Sequence, residues 1–324
     1  MPQATAPNLP SVLTFAPILV PKVWGGRRLE ALGKQLPQGV DIGESWEIAD
    51  LPDGGPVSVV DDGPLAGCTL RQLLNTYHTE IMGSVSLDAS GRFPLLIKFL
   101  DARENLSVQV HPDQAWVDTH PGDHLKSEAW LVLDTDDGGL IHAGLTPGTH
   151  AAPLAEAVKQ GTVVDVLRSV PAQVGDCHTL VSGTCHALGA GVLVAEVQTT
   201  SDTTFRVYDW GRRDREIHVE QALACIDVNA APPCVERTPL PETGIDERII
   251  AQTNWFTMHR IASAGGTWTR PDTGRPSVLM CVAGEATIGD VSLPRGRTGL
   301  VPACAGNIDV DVATGTVLVR AECA

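Results

Sequence analysis

Apolar residues in this chain come in short blocks. The segments 94–100 (PLLIKFL), 106–111 (LSVQVH), 128–133 (EAWLVL), 191–198 (GVLVAEVQ), 248–252 (RIIAQ), 277–284 (SVLMCVAG) and 315–322 (GTVLVRAE) are rich in Val, Leu and Ile, and Gly, Pro and Asp clusters separate them. Blocks this short, bounded by turn residues, predict strands. Two segments instead have helical spacing. In 69–82, Leu70, Leu73, Leu74 and Ile81 recur at helical intervals, Thr69 is placed to cap the start and Gly83 to end it. In 153–167, Leu154, Ala157 and Val158 are apolar, and Gly161 breaks the pattern before VVDVL. The pattern predicts a mainly β protein, a sandwich or barrel, with helical insertions at about 69–83 and 151–168.

The segment 229–247 (NAAPPCVERTPLPETGIDE) is Pro-rich and has no apolar period, so it reads as a linker between a first domain, 1–228, and a second, 248–324. A length of 324 residues suits about two domains at roughly 150 residues each. A short internal repeat points the same way. A turn glycine, a short strand and a small-residue corner occur in 171–189 and recur in 293–307. Aligning Gly175 with Gly296 sets Val181-Ser182 beside Val301-Pro302 and His186 opposite Asn307. The reading is two related β-barrels, of which only the first kept its histidine.

Composition narrows the function. Aromatics are only 4% against 43% hydrophobic residues, so aliphatic side chains fill most of the core. With Lys+Arg 23 against Asp+Glu 39, the net charge is −16, which argues against a free-standing nucleic-acid binder and against an anionic membrane surface. A small anionic substrate needs only a few local cations and stays open. No apolar run approaches the roughly 20 residues of a membrane span. The opening MPQATAPNLP has neither a basic start nor an apolar signal core, so a cytoplasmic location is expected. Eight scattered cysteines without a CxxC pair read as buried thiols in a reducing compartment. No GxSxG, Walker A or GxGxxG fingerprint is present.

The residues with chemistry cluster in the first part of the chain. Gln109 and His111, at i and i+2, share one face of a strand, while Val108 and Val110 take the other. Glu128 opens the next strand and His186 follows much later. One amide, one carboxylate and two imidazoles suit Zn²⁺, and also Mn²⁺, Fe²⁺ or Co²⁺. The alternative is a solvated Gln-x-His on an edge strand plus an unrelated core histidine. His120 and His124 flank a PGD loop and are weaker candidates. Cys177 and His178 are sequence neighbours on a strand and point opposite ways, which disfavours a Cys–His nucleophile. Lys126 shares the face of Glu128 two residues on, and Arg206 follows the strand at 191–198. Lys98 sits inside an apolar strand, where it either serves a site or reaches out from a strand end.

The runs FPLLIKFLDARENLSVQVHPD, LKSEAWLVL and VSGTCHALGAGVLVAEVQTTSDTTFRVYDWGR, with PKVWGGRRL and IGESWEIAD before them, resemble type I phosphomannose isomerases, in the short bacterial form, over roughly residues 12–215. The resemblance implies two cupin (double-stranded β-helix, jelly-roll) domains, the second degenerate. It implies one Zn²⁺ per chain on Gln109, His111, Glu128 and His186. It also implies an isomerase of mannose 6-phosphate and fructose 6-phosphate acting through an enediol. The family's catalytic arginine falls on Arg206 and its active-site lysine on Lys126; Asp202 matches an aspartate given a proton-transfer role. Lys98 and Ser107 are candidates for binding the substrate. The expected partner is a phosphorylated sugar, with no nucleic acid or membrane, and a monomer is favoured. The Cys177-His178 pair departs from the aromatic-rich strand usual after the GD turn, and the second domain is lean. Two other readings use the same ligands: an Fe²⁺-dependent cupin dioxygenase, and a non-catalytic sugar-phosphate-binding cupin. Neither explains why both Lys126 and Arg206 stand beside the metal.

Overall fold

The computed structural model describes residues 9–52 and 54–324, so the opening residues on which the leader argument rests lie largely outside the described residues. Strands dominate and form three sheets with antiparallel neighbours. A seven-stranded sheet runs in the order Cys234–Val235, Cys177–Leu180, Glu128–Thr135, Val192–Thr199, Leu95–Ala102, Ile42–Ile48, Ile18–Gly26. A five-stranded sheet runs Phe205–Tyr208, Val108–Val110, His186–Leu188, Leu140–Leu145, Leu167–Pro171. Most neighbours in these two sheets are far apart in sequence, the mark of a jelly-roll rather than a meander. Between them lie Trp24, Leu100, Trp130, Ile141, Leu180, Leu188 and Val194.

The seven-stranded sheet is also buried on its other face. Leu95, Ile97, Phe99, Leu131, Leu193 and Val197 pack there against Leu70, Leu73, Leu74 and Ile81 of the helical insertion. The same cluster takes in Phe256, Met258, Val278, Met280 and Val319 from the C-terminal sheet. That third sheet is built on Ile245–Gln252, Phe256–Arg270, Ile308–Cys323, Ser277–Ala283 and Thr298–Val301, with Leu13–Thr14 from the start of the chain on its edge. Burial on both faces is why the central strands read as near-continuous apolar runs. Any charged residue inside them therefore requires a partner.

The first insertion is two short helices, Leu70–Thr76 and His78–Met82, broken at Tyr77. Thr69 caps the first as expected, in a reciprocal capping box with Gln72. The second insertion has the expected break at Gly161. The α-helix Ala151–Gln160 ends on left-handed Gly161, and Val163–Val166 is a single tight turn that leads into the strand Leu167–Pro171. The segment 229–247 is not bare linker: Cys234–Val235 pairs with His178 and Cys177, and Ile245 begins a strand. All eight cysteines are free; five are buried, but Cys234 and Cys304 are exposed, contrary to the expectation of buried thiols throughout.

The two aligned turn glycines have matching backbones, φ 95° at Gly175 and 85° at Gly296, and each leads into a short strand, Cys177–Leu180 and Thr298–Val301. Opposite the histidine, Asn307 is occupied locally: its Oδ1 accepts the backbone N–H of Asp272 at 2.7 Å. At Gly296 a Cβ would also lie 2.0 Å from the carbonyl oxygen of Leu32. Gly296→Ala is therefore expected to cost at least about 1–3 kcal/mol, read as a lower urea midpoint at unchanged m-value.

Candidate active site

His111, just after the strand Val108–Val110, and His186 on the same five-stranded sheet meet Glu128 at the start of its strand on the seven-stranded sheet. Pairing fixes the first part of this arrangement, because His186 lies directly across from Gln109 and Arg206 lies across from Gln109 on the other side. His111 Nε2 is 3.4 Å from Glu128 Oε2, and His186 Nε2 is 3.1 Å from Oε1. His111 Nδ1 donates to the carbonyl of Thr203 at 3.1 Å, and His186 Nδ1 to that of Thr184 at 2.8 Å. These bonds put the ring proton on Nδ1 and leave both Nε2 lone pairs aimed at a carboxylate, the tautomer a metal ligand needs.

Lone pairs facing lone pairs in a buried site require a cation between them. His111 Nε2 and Glu128 Oε1 are buried without a hydrogen-bond partner, and Glu128 Oε2 meets the Lys126 ammonium. His111, Glu128 and His186 present their ligand atoms within 4.8 Å of one another, a set that fits a divalent metal. Burial opposes the charge on Glu128, but the Lys126 ammonium, 2.9 Å from Oε2, holds its carboxyl well below the usual range. Burial, followed by the Lys126 charge, takes His111 down to about 3, so its ring is neutral and open to a metal at working pH.

Gln109 differs from the other expected ligands. Its amide nitrogen, not its oxygen, faces His186 Nε2 at 3.2 Å, while Oε1 accepts from Ser107 Oγ at 3.4 Å. Turning the amide over swaps two groups of equal size. Oε1 then points into the metal position and Nε2 can donate to Ser107. Ser107 thus touches Gln109 as well as the cavity wall.

Beside the cluster is a cavity of about 200 Å³. Gln109, Glu128, Lys126, Lys98, Ser107, Asp202 and Arg206 all line it. So do Lys22, Glu44, Glu196 and Arg215, which the sequence reading did not single out. Glu44 and Glu196 gave a signal that was available, a carboxylate inside an apolar strand. Arg215, in a charged loop, gave none; Asp209 holds it in place through Nε at 2.8 Å. Asp202 and Thr204 also line an outer cavity of about 720 Å³, which includes His120 and His124. His120 stacks on Trp116 at 3.7 Å and is not part of the ligand cluster.

A row of polar groups crosses the seven-stranded sheet on the cavity side. Glu196 is in register with Lys98 on one neighbour and Trp130 on the other, and Lys98 with Trp46 beyond. Lys98 is buried and does not reach out from a strand end. Its ammonium lies 3.6 Å from Glu44 Oε2 and 5.1 Å from the centre of the Trp46 ring, and Lys22 approaches Glu44 Oε1 at 3.1 Å. Burial opposes the Lys98 charge, but Glu196 and Glu44 raise its pKa. Burial would raise Glu44, yet Lys98 and Lys22 hold it at about 2. Glu196 goes the other way: burial outweighs the pull of Lys98 and, with Glu128 nearby, raises its pKa. Lys98→Met leaves Glu44 with Lys22 and the Trp46 indole N–H, and Glu196 with no cation in register. It is expected to cost about 3–5 kcal/mol in chemical denaturation, the range for breaking a buried pair.

Arg206 is held from two sides. Its backbone N–H donates to His218 Nδ1 at 3.2 Å, and its Nη1 donates to the Glu216 carbonyl at 2.7 Å. Its Nε is buried without a hydrogen-bond partner. The guanidinium plane is thus anchored at one end while the side chain lines the cavity.

Comparison with known proteins agrees with this geometry. Residues 13–132 match the family model for phosphomannose isomerase type I, catalytic domain. The chain is 36% identical over 280 residues to a mannose-6-phosphate isomerase of Streptococcus mutans, covering 82% of this chain and 83% of that protein. It is 36% identical over 226 residues to a mannose-6-phosphate isomerase of Bacillus subtilis, covering 68% and 69%. Among solved structures, the mannose 6-phosphate isomerase from Bacillus subtilis superposes with a TM-score of 0.83 at 29% identity, covering 96% of this chain and 99% of that one. A putative mannosephosphate isomerase from Archaeoglobus fulgidus shares the fold, with a TM-score of 0.78 at 21% identity over 98% and 99% of the two chains. Sequence, fold and site geometry agree, and the chain belongs to the type I phosphomannose isomerase family.

Proposed function

We propose that this enzyme interconverts mannose 6-phosphate and fructose 6-phosphate, with one Zn²⁺ held by His111, Glu128, His186 and the turned-over amide of Gln109. One observation carries the reading: unpartnered imidazole and carboxylate atoms adjoin a small cavity whose wall holds lysines, arginines and carboxylates together. Aldose–ketose isomerisation needs that mixture. A proton leaves a weakly acidic C–H at C2 and returns at C1, while negative charge builds on the sugar oxygens of an enediol. When bound, the metal supplies a fixed positive charge that orients and polarises those oxygens without redox change.

The chain's own residues supply the rest. Arg206 faces the developing oxyanion with a charge that does not depend on working pH. Lys126 and Asp202, both on the cavity wall, handle the moving proton. Lys98, Lys22 and Ser107 belong to the binding surface, and the lysines and arginines on that wall favour a phosphorylated sugar over a neutral one. The test is direct: purified, metal-loaded protein is incubated with mannose 6-phosphate and fructose 6-phosphate is measured over time. Production that a chelator stops and zinc restores supports the reading. No fructose 6-phosphate from fully loaded, folded protein overturns it.

A further inference from the structure

A second group of metal-type ligands lies away from the active site, at the outer edge of the seven-stranded sheet. Asp176, His178 and Cys234 hold their ligand atoms within 4.8 Å of one another. Strand geometry produces this convergence. Asp176 and His178 are at i and i+2 and share a face, and Cys234 is the register partner of His178 on the edge strand. Glu236, two residues beyond Cys234, lines the same cavity of about 410 Å³. We propose that Asp176, His178 and Cys234, with Glu236 at the rim, form a second site for a thiophilic divalent cation of the Zn²⁺ type.

The spacing suits such an ion. Cys234 Sγ is 3.8 Å from His178 Nε2. A tetrahedral zinc with sulfur at about 2.3 Å and nitrogen at about 2.0–2.1 Å sets the two atoms about 3.6 Å apart. The thiol is also presented on a stiff segment. Pro232 and Pro233 precede it with their backbone torsion φ locked by the ring. Thr179 N–H donates to the Pro233 carbonyl at 3.0 Å, and Arg237 N–H donates to Asp176 Oδ1 at 2.8 Å, so the edge strand is tied down on both sides of Cys234. Little rearrangement is needed to close a ligand shell. Arg168 lines the cavity too, and its exposed side chain is the cation that a bound metal pushes outward.

Binding replaces the Sγ–H bond of Cys234 with a sulfur–metal bond and releases one proton to solvent. The ion competes with the thiol proton, so affinity rises with pH. The ion would pin the segment that leads into the C-terminal sheet to the edge of the first sheet. This site is independent of the active-site metal and makes two per chain where the sequence led us to expect one.

The test uses the full chain, stripped with a chelator and titrated with Co²⁺ alone. The active-site ligand set contains no cysteine, so a thiolate-to-cobalt charge-transfer band in the near ultraviolet reports only a cysteine-containing site. We expect two equivalents bound and this band present. Cys234→Ser, at an exposed position, is expected to bind one equivalent fewer, lose the band and keep kcat and KM. Cys304→Ser, the other exposed thiol, keeps both. His178→Gln is expected to lose the second equivalent while retaining the thiol. A single equivalent with no band in the wild type overturns the proposal, as does a band or a second equivalent that persists in Cys234→Ser.

Discussion

Arg206→Lys is expected to lower kcat roughly 10²–10³-fold while KM stays within a few-fold of wild type, in steady-state kinetics with mannose 6-phosphate. The reason is geometric. One end of the guanidinium donates to the Glu216 carbonyl at 2.7 Å, which fixes the plane, and Nε is buried with no partner. Such a donor gains most when charge builds on a substrate oxygen. Lysine keeps the positive charge but cannot reach the carbonyl and the cavity at the same time. A rise in KM with kcat unchanged would instead make Arg206 a ground-state phosphate clamp. No change in either would place the side chain outside the reacting geometry.

His186→Ala is expected to remove one bound metal and to reduce turnover beyond the roughly 10³-fold cost of a single oxyanion donor. Its Nε2 faces Glu128 Oε1 at 3.1 Å, and its other ring nitrogen is committed to Thr184. Truncation removes one of the two imidazoles and leaves one histidine, one carboxylate and the weakly donating Gln109 amide, a poorer set than the three strong ligands usual for catalytic zinc. Among the described residues no other histidine belongs to the ligand cluster, and His120 is stacked on Trp116 with its Nδ1 3.0 Å from the Trp116 carbonyl. Glu128→Gln is the companion variant. It keeps shape but removes the charge that Lys126 and both imidazoles face, so it should lose metal as well. Elemental analysis after dialysis, alongside activity, checks both. Retained metal with lost activity in His186→Ala would mean that the histidine acts on substrate rather than on the ion.

Much of this was legible in local pattern. The capped helix at Thr69, the strand blocks, and the shared face of Gln109 and His111 follow from periodicity and side-chain chemistry alone. The break at Gly161 was also local, because a glycine is suited to the left-handed position that ends the helix. Glu44 and Glu196 were readable in principle, because a carboxylate in a strand buried on both faces has to be balanced. The exposed Cys234 was not readable: its strand is two residues long and is defined by pairing with His178.

The sequence by itself determined that the protein is mainly β, where its helical insertions begin, and which side chains could bind a metal or a sugar phosphate. Those features depend on repeats of two or 3.6 residues and on functional groups, all local properties. Only the tertiary structure decided that those side chains meet. Gln109 and His186 are 77 residues apart yet are in contact, and Glu128 reaches them from a different sheet. Which strands become neighbours is settled by burying both faces of one sheet at once, against the five-stranded sheet on one side and the helices and C-terminal sheet on the other. That packing also turns Lys98, Glu44 and Glu196 toward one cavity and brings Cys234 opposite His178. No local period encodes those pairings.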